Sequence, residues 1–501
     1  MARPHSSNQT ETRRGFLWES GAGFAGLALA SLLERDGFFT SMGQAAQPSS
    51  FESESFQAAR IADPVRVMEP HFEPRAKRVI FLFMYGGPPS MDTWDYKPEL
   101  QKHDGEKIDI EQRRRKVSQG TLLGSKQTFR QHGESGLWGS DSFPHINSCL
   151  DDICVVKSLY ADTFAHASAL IQMNSGSVLQ GYPTLGSWLT YGLGSENENL
   201  PAYMVMLDPR GGPIAGAANW SSGFMPAAYQ GMHLRNKGEP ILDLSPKSRM
   251  TRDMQRDQLS VLHALNARHI SSRPGYSELQ ARIASYELAY QLQVTAPEAM
   301  DLSQETRKTQ EMYGIFDDYE KIPKAIGPQT FGQQCLIARR LIERGTRFVQ
   351  IYSGGGHADE TWDAHFDVEK NLSIHAPEVD RPIHGLLTDL KQRGLLDETL
   401  VVWGGEFGRQ AVSQSEKGRD HNPLGFLYWL AGGGVKPGHC YGETDPLGHR
   451  AAENRHHIRD LHATILYLMG LDHEKLTYFY GGLDHKLTSV QPAEVIHEVI
   501  A

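Results

Sequence analysis

Hydrophobic positions along this chain fall into short, solidly apolar runs separated by amphipathic stretches. Arg78-Val-Ile-Phe-Leu-Phe-Met-Tyr85 is continuous and stops at Gly86-Gly87-Pro88-Pro89, the pattern of a strand buried on both faces. Similar runs at Asp152–Leu159, Pro201–Leu207, Arg347–Tyr352, Thr399–Trp403 and Gly425–Leu430 predict further strands. Helical periodicity falls between them, at about 167–174, 184–193, 331–344, 379–393 and 459–469. This βα alternation predicts an α/β fold with a mostly parallel central sheet covered by helices on both faces. The rhythm breaks at about 209–324, where a Gly/Pro/Ala-rich loop containing Trp220 precedes a polar helical pattern at Ser277–Gln293. That stretch is expected to be a helical and loop insertion that covers the sheet and shapes a pocket.

With 501 residues, 39% of them hydrophobic, the chain can bury a large core. A net charge of -10 argues against a nucleic-acid binder, and the one basic run, Arg113-Arg114-Arg115-Lys116, reads as a solvated face. The four cysteines, 149, 154, 335 and 440, have no knuckle spacing, and Cys149 and Cys335 sit in apolar helical patterns as buried thiols.

The N-terminus differs from the rest. Thr12-Arg13-Arg14-Gly15-Phe16-Leu17 precedes a mild Gly/Ala-rich apolar stretch from Gly21 to Leu33, and Gly43-Gln44-Ala45-Ala46 follows the small-residue rule for cleavage. This resembles a twin-arginine export signal at 1–46, with a linker at 47–75, an α/β domain at 76–490 and a tail at 491–501. The implied location is periplasmic or secreted, with the twin-arginine translocase as partner during export and no stable membrane span afterwards.

Three segments past residue 350 concentrate the candidate chemistry: Trp362-Asp-Ala-His365, Trp403-Gly-Gly-Glu406-Phe-Gly-Arg409 and Arg419-Asp420-His421-Asn422-Pro423. Each lies where a predicted strand runs into a loop, the usual place for α/β chemistry. Asp363 and His365, two apart in an extended segment, project to one side. Together with Glu406, Asp420 and His421 they suit a divalent metal. Zinc is the first expectation; Mn²⁺ or Fe²⁺ also fit carboxylate and imidazole, whereas an all-oxygen shell would favour Mg²⁺ or Ca²⁺. Arg409 is expected to hold an anion, with a structural salt bridge to Asp420 or Glu406 as the alternative. His357-Ala358-Asp359 has the form of half a facial triad, although that chemistry favours all-β folds.

The arginine leader, the strand ending in Gly86-Gly87-Pro88, Met91-Asp92-Thr93-Trp94-Asp95, and the Trp-Asp-x-His, Gly-Glu-Phe-Gly-Arg and Arg-Asp-His steps together resemble the exported family called domain of unknown function 1501. That family is similar to the alkaline phosphatase and sulfatase superfamily. The resemblance implies an alkaline-phosphatase-like fold and hydrolysis of a phosphate or sulfate ester, including esters on a polysaccharide, through a metal-activated water. Carried over by position, Glu406 stands where the superfamily has the Asp of Asp-His-Gly, and Phe407 stands for the His. His421 resembles the late His, and Asp92 is the nearest substitute for an Asp missing at Gly86-Gly87. His166 occupies the nucleophile's place, where it could be ligand, base or nucleophile, with Thr163 and Ser168 as nearby hydroxyls. No Cys-x-Pro-Ser-Arg sequence occurs, which argues against a formylglycine sulfatase. The missing nucleophile also admits a second reading, a non-catalytic exported binding protein on an eroded hydrolase scaffold.

Overall fold

The computed structural model describes residues 65–111, 116–197, 199–235, 297–319, 325–356 and 360–501, with scattered positions between 251 and 265. All lie in the unit 50–501. The arginine leader, residues 47–64 of the linker, Arg113–Arg115, the helical pattern at Ser277–Gln293, and His357 with Asp359 fall outside the described residues.

Strand β1 (Arg78–Met84) shows why the apolar runs are continuous. Its side chains alternate between two cores. Ile80, Leu82 and Met84 enter one hydrophobic cluster, and Val79, Phe81 and Phe83 enter the other, so no position faces water. The other sheet strands are β2 (Ile153–Tyr160), β3 (Tyr203–Met206), β4 (Met232–Leu234), β5 (Phe348–Ser353) and β6 (Thr399–Gly404). A hairpin of β7 (Gly408–Gln414) and β8 (Gly418–Asn422) then precedes β9 (Phe426–Ala431), β10 (His439–Tyr441) and β11 (His456–His457). The nine-stranded sheet runs β10-β2-β9-β6-β1-β5-β3-β4, with β11 also paired to β2.

Every pairing in that sheet is parallel except those of β9, which runs antiparallel to both β6 and β2. The cause is the connection. Between β6 and β9 the chain makes the hairpin rather than a helical crossover, and without a crossover the next strand must return in the opposite sense. The fold is therefore a mixed sheet, mostly parallel, flanked by helices.

Helices α1 (His166–Ser175), α2 (Leu185–Leu193), α3 (Pro328–Glu343) and α5 (Ile458–Leu468) start and stop within a few residues of the expected bounds. Helix α4 differs. It runs Val368–Gln392 through Pro377 and Pro382, where the sequence pattern predicts a start near 379. Proline in a helix interior costs about 3 kcal/mol, but Leu372, Ala376, Val379, Ile383, Leu386 and Leu390 form an unbroken four-three stripe in one core. Their burial, at roughly 1.5–3 kcal/mol for each large side chain, outweighs the prolines.

The insertion begins differently from its expectation as pure cover. Its first part contributes β4, a parallel edge strand on β3. Residues expected as a tail also pack: Ile496 and Val499 are buried, and Val435 bridges to Ile500. All four cysteines are free thiols, with Cys149 and Cys335 buried. No helix among the described residues is long and apolar enough to cross a membrane.

Candidate metal centre

Five pieces of chain meet beyond the C-terminal ends of the parallel strands: the turn after β1, the loop after β5, the end of β6, the β7–β8 hairpin and the first residue of α1. The turn after β1 is glycine because the chains approach so closely. Gly86 has φ +117°, and a Cβ there would lie 2.5 Å from the backbone nitrogen of Asp363. A side chain at that position would force the neighbouring backbone to shift. The hairpin places Arg409 directly opposite His421.

Four side chains converge. One donor atom from each of His166, Asp363, His365 and His421 lies within 4.8 Å of the others. Asp363 is the hub: its Oδ1 is 2.9 Å from His365 Nε2 and 3.1 Å from His421 Nε2, and its Oδ2 is 3.2 Å from His166 Nε2. The far nitrogen of every ring is held. His166 Nδ1 donates to Glu406 Oε1 at 2.6 Å, His421 Nδ1 to the Phe164 carbonyl at 2.8 Å, and His365 Nδ1 to Gln414 Oε1 at 2.5 Å. The Nδ1 of His166 and that of His421 thus carry a hydrogen, and each Nε2 faces the shared point.

His365 Nε2 and His421 Nε2 are 2.8 Å apart, a contact that a hydrogen on one ring or a cation between them satisfies. His166 Nε2 is buried, 3.2 Å from Asp363 Oδ2. Three Nε2 atoms and a carboxylate at one point fit a divalent ion, and the Nδ1 partners are the outer contacts that metal-binding histidines use.

Charge supports the same picture. Burial raises the carboxyl of Asp363, but Arg409 and the three imidazoles overcome it and hold the group well below the ordinary carboxylate range. His166 is disfavoured as a cation by burial, yet Asp363 and Glu406 together push its pKa up to about 9. His421 is pushed down to about 3 by burial, with Arg409 and His166 adding to the effect.

Not every expected residue joins. Glu406 is fully buried one layer out, accepting from His166 and from the backbone N–H of Gly86 at 3.0 Å. Asp420 Oδ1 lies 3.8 Å from His365 Nδ1 and caps the N–H of His421, so it borders the cluster without entering it. Asp92 is turned away into a buried ion pair with Arg419, at 2.8 Å. Arg409, expected to hold an anion, is turned inward. Its guanidinium is fully buried and donates to the carbonyls of Gly86, Gly87 and Arg419 and, at 2.6 Å, to Asp363 Oδ1, so it positions Asp363. Thr163 and Ser168 bond each other at 2.9 Å in the entry to α1.

Two residues at the site escaped the sequence reading. Tyr85 packs edge-on against the His166 ring at 5.9 Å, and its hydroxyl contacts the backbone of Ile214 in the insertion. Burial, then Glu406, raises its pKa to about 12. Gln414 is the partner of His365. The only signal for Tyr85 was its place just before the glycine turn, and Gln414 carried none, because the hairpin reads as loop.

A family described as "Protein of unknown function (DUF1501)" matches residues 76–500. No curated protein matches the chain. Solved structures similar to it, all at low identity, include a sulfatase and an alkaline phosphatase. Ps i-CgsB aligns at 11% identity and TM-score 0.36 over 79% of this chain and 72% of its own. PsFucS1 sulfatase from Pseudoalteromonas sp. aligns at 11% and 0.36 over 83% and 72%, and TAB5 alkaline phosphatase at 9% and 0.34 over 80% and 99%.

Proposed function

We propose, from the premise that this chain belongs to the DUF1501 family, that it is an exported, metal-dependent hydrolase of phosphate or sulfate esters. The observation that carries the metal is the meeting of three Nε2 atoms on Asp363, with His365 and His421 only 2.8 Å apart at those nitrogens. His166, Asp363, His365 and His421 would hold the ion. Zinc suits three nitrogens and one oxygen best, with Mn²⁺ next. Bound there, such an ion would polarise the ester and lower the pKa of an attacking water to near neutrality.

The remaining residues act on those four. Glu406 orients the His166 ring and, through Gly86, ties the β1 turn to it. Arg409 fixes Asp363. Asp363 and His365 keep 15% and 21% of their side-chain surface open, which leaves room for a substrate oxygen and a water beside the ion. The reading therefore favours an open, catalytic shell over a sealed structural one. The substrate class is an anionic ester, including one borne on a polysaccharide. Export would follow the paired arginines into the periplasm or medium, with cleavage near Ala46.

The test is turnover of aryl phosphate and aryl sulfate esters by the chelator-free protein with added Zn²⁺ or Mn²⁺, lost in His421→Ala. For export, the double change Arg13→Lys, Arg14→Lys would leave the chain in the cytoplasm. A second reading, a non-catalytic exported binding protein, draws on one observation: the nearby hydroxyls of Thr163 and Ser168 are engaged with each other. Metal binding with anion affinity but no turnover of any ester would favour it.

A further inference from the structure

We infer that Asp162 is a positioning residue for the histidine cluster: standing outside it, Asp162 ties the loop that carries the Phe164 carbonyl and leads into His166 to the first turn of helix α5. That loop, 161–165, joins the end of β2 at Tyr160 to the start of α1 at His166. Two members of the cluster depend on it. His166 is the residue that follows it, and His421 Nδ1 donates to its Phe164 carbonyl at 2.8 Å. The entry to α1 has no cap of its own, because Ala165 stands at the N-cap and offers no side-chain acceptor.

Asp162 supplies the missing hold. The pairing of β11 with β2 sets His457 beside Tyr160, where the loop leaves the sheet. As the N-cap of α5, His457 accepts the backbone N–H of Arg459 on its Nδ1 at 3.1 Å, so the hydrogen of the neutral ring sits on Nε2. That Nε2 lies 3.2 Å from Asp162 Oδ2, and Arg459 Nη1 donates to the same oxygen at 3.3 Å. Gln172, within α1, closes the loop from the other side: its Nε2 donates to Asp162 Oδ2, and its Oε1 accepts the Asp162 N–H at 3.2 Å. Chiefly His457, with Gln172 and Arg459, holds the Asp162 carboxyl down at about 2 against partial burial, so the acceptor stays charged.

The tether acts on the helix entry alone. The body of α1 is anchored separately, by Leu170 and Met173 in the core and by His462 Nε2, which donates to the Met173 carbonyl at 2.8 Å. Asp162 keeps 46% of its side chain exposed, and ion pairs at such positions add little to global stability. Its effect falls on geometry instead, since side chains that meet at one point need their supports placed to within about 0.5 Å.

The test uses full-length, metal-free protein labelled with ¹⁵N at histidine, in which the His421 Nδ1–H resonance is identified by its absence from His421→Ala. Asp162→Ala should speed the exchange of that hydrogen with solvent by about tenfold or more, as the Phe164 carbonyl loosens. The melting temperature should move by less than about 2 °C. Asp162→Asn, which keeps an acceptor for His457 without the charge, should show a smaller increase. A consequence for metal rests on the reading proposed above: zinc affinity should then fall about tenfold in Asp162→Ala. Zinc binding to neither protein would defeat that reading, and the exchange rates would still decide on Asp162. Exchange in Asp162→Ala equal to wild type, or faster only in step with the amides of the central sheet, would overturn the inference. If Asp162→Ala does not fold, equal exchange in Asp162→Asn and wild type overturns it in the same way.

Discussion

Glu406→Gln tests the proposal that Glu406 prepares His166 for a metal. The change is isosteric. The amide oxygen can still accept one of the two bonds now made to His166 Nδ1 and Gly86 N–H, but the charge is gone. Two opposing consequences follow. Loss of the outer carboxylate makes His166 a poorer ligand, an effect of about 10–100-fold in metal affinity. Loss of the charge also lowers the His166 pKa, which Asp363 and Glu406 together hold at about 9. In wild type at pH 7 a metal must displace that proton, a penalty of about 100-fold for a two-unit difference. With one of the two carboxylates neutralised, about one unit of the penalty disappears, roughly a tenfold gain.

The net effect therefore depends on pH. Affinity measured by competition with a chromophoric chelator should rise in wild type by about tenfold per pH unit from 6.5 towards 9, as one proton is released on binding. Glu406→Gln should bind about 10–100-fold more weakly than wild type at pH 9, but no more than about tenfold more weakly at pH 7. A wild-type affinity independent of pH over this range, or an equal defect at both pH values, would refute the reasoning. The sign for the metal-free protein is opposite. A raised histidine pKa stabilises the fold below pH 6.5, and that stabilisation is lost as pH rises through about 9.

Gly86→Ala should destabilise the fold by about 3 kcal/mol or more and lower metal affinity, because its Cβ would lie 2.5 Å from Asp363 N at a φ of +117°; urea unfolding and metal titration read both, and a change under about 0.5 kcal/mol would contradict the close approach. Arg409→Met leaves Asp363 without its buried partner, which should cost about 3–5 kcal/mol by denaturant unfolding. His462 is buried and its pKa is depressed to about 4 by burial. The unfolded chain binds a proton that the folded one does not between pH 6.5 and 4, so stability falls with acid across that window by about 3 kcal/mol. His462→Gln should flatten that slope in pH-dependent urea melts.

The sheet was legible because buried strands leave an unmistakable mark: in β1 every residue after Arg78 must be apolar to face two cores. Helix bounds were legible where caps and breakers agree with packing, and failed at α4, where the apolar stripe overrides two prolines. The reversed β9 was hidden because a short hairpin and a loop look alike in sequence, and the same hairpin concealed how Arg409 faces His421. Of the site, the convergence of Asp363, His365 and His421 was readable, since each stands where a strand runs into a loop. Their ranking was not. Whether Glu406 enters the cluster or stands behind His166, and whether Arg409 faces solvent or Asp363, depends on distances of a few ångströms that no spacing along the chain encodes.

The central claim is that three imidazoles and Asp363 enclose a divalent ion. An anomalous difference map from crystals of chelator-free protein grown with Zn²⁺ tests it directly. The account predicts one peak about 2.0–2.1 Å from the Nε2 atoms of His166, His365 and His421 and about 2.0–2.2 Å from an Asp363 oxygen. No peak there at full zinc occupancy elsewhere, with His365 and His421 still 2.8 Å apart at their Nε2 atoms, would contradict it.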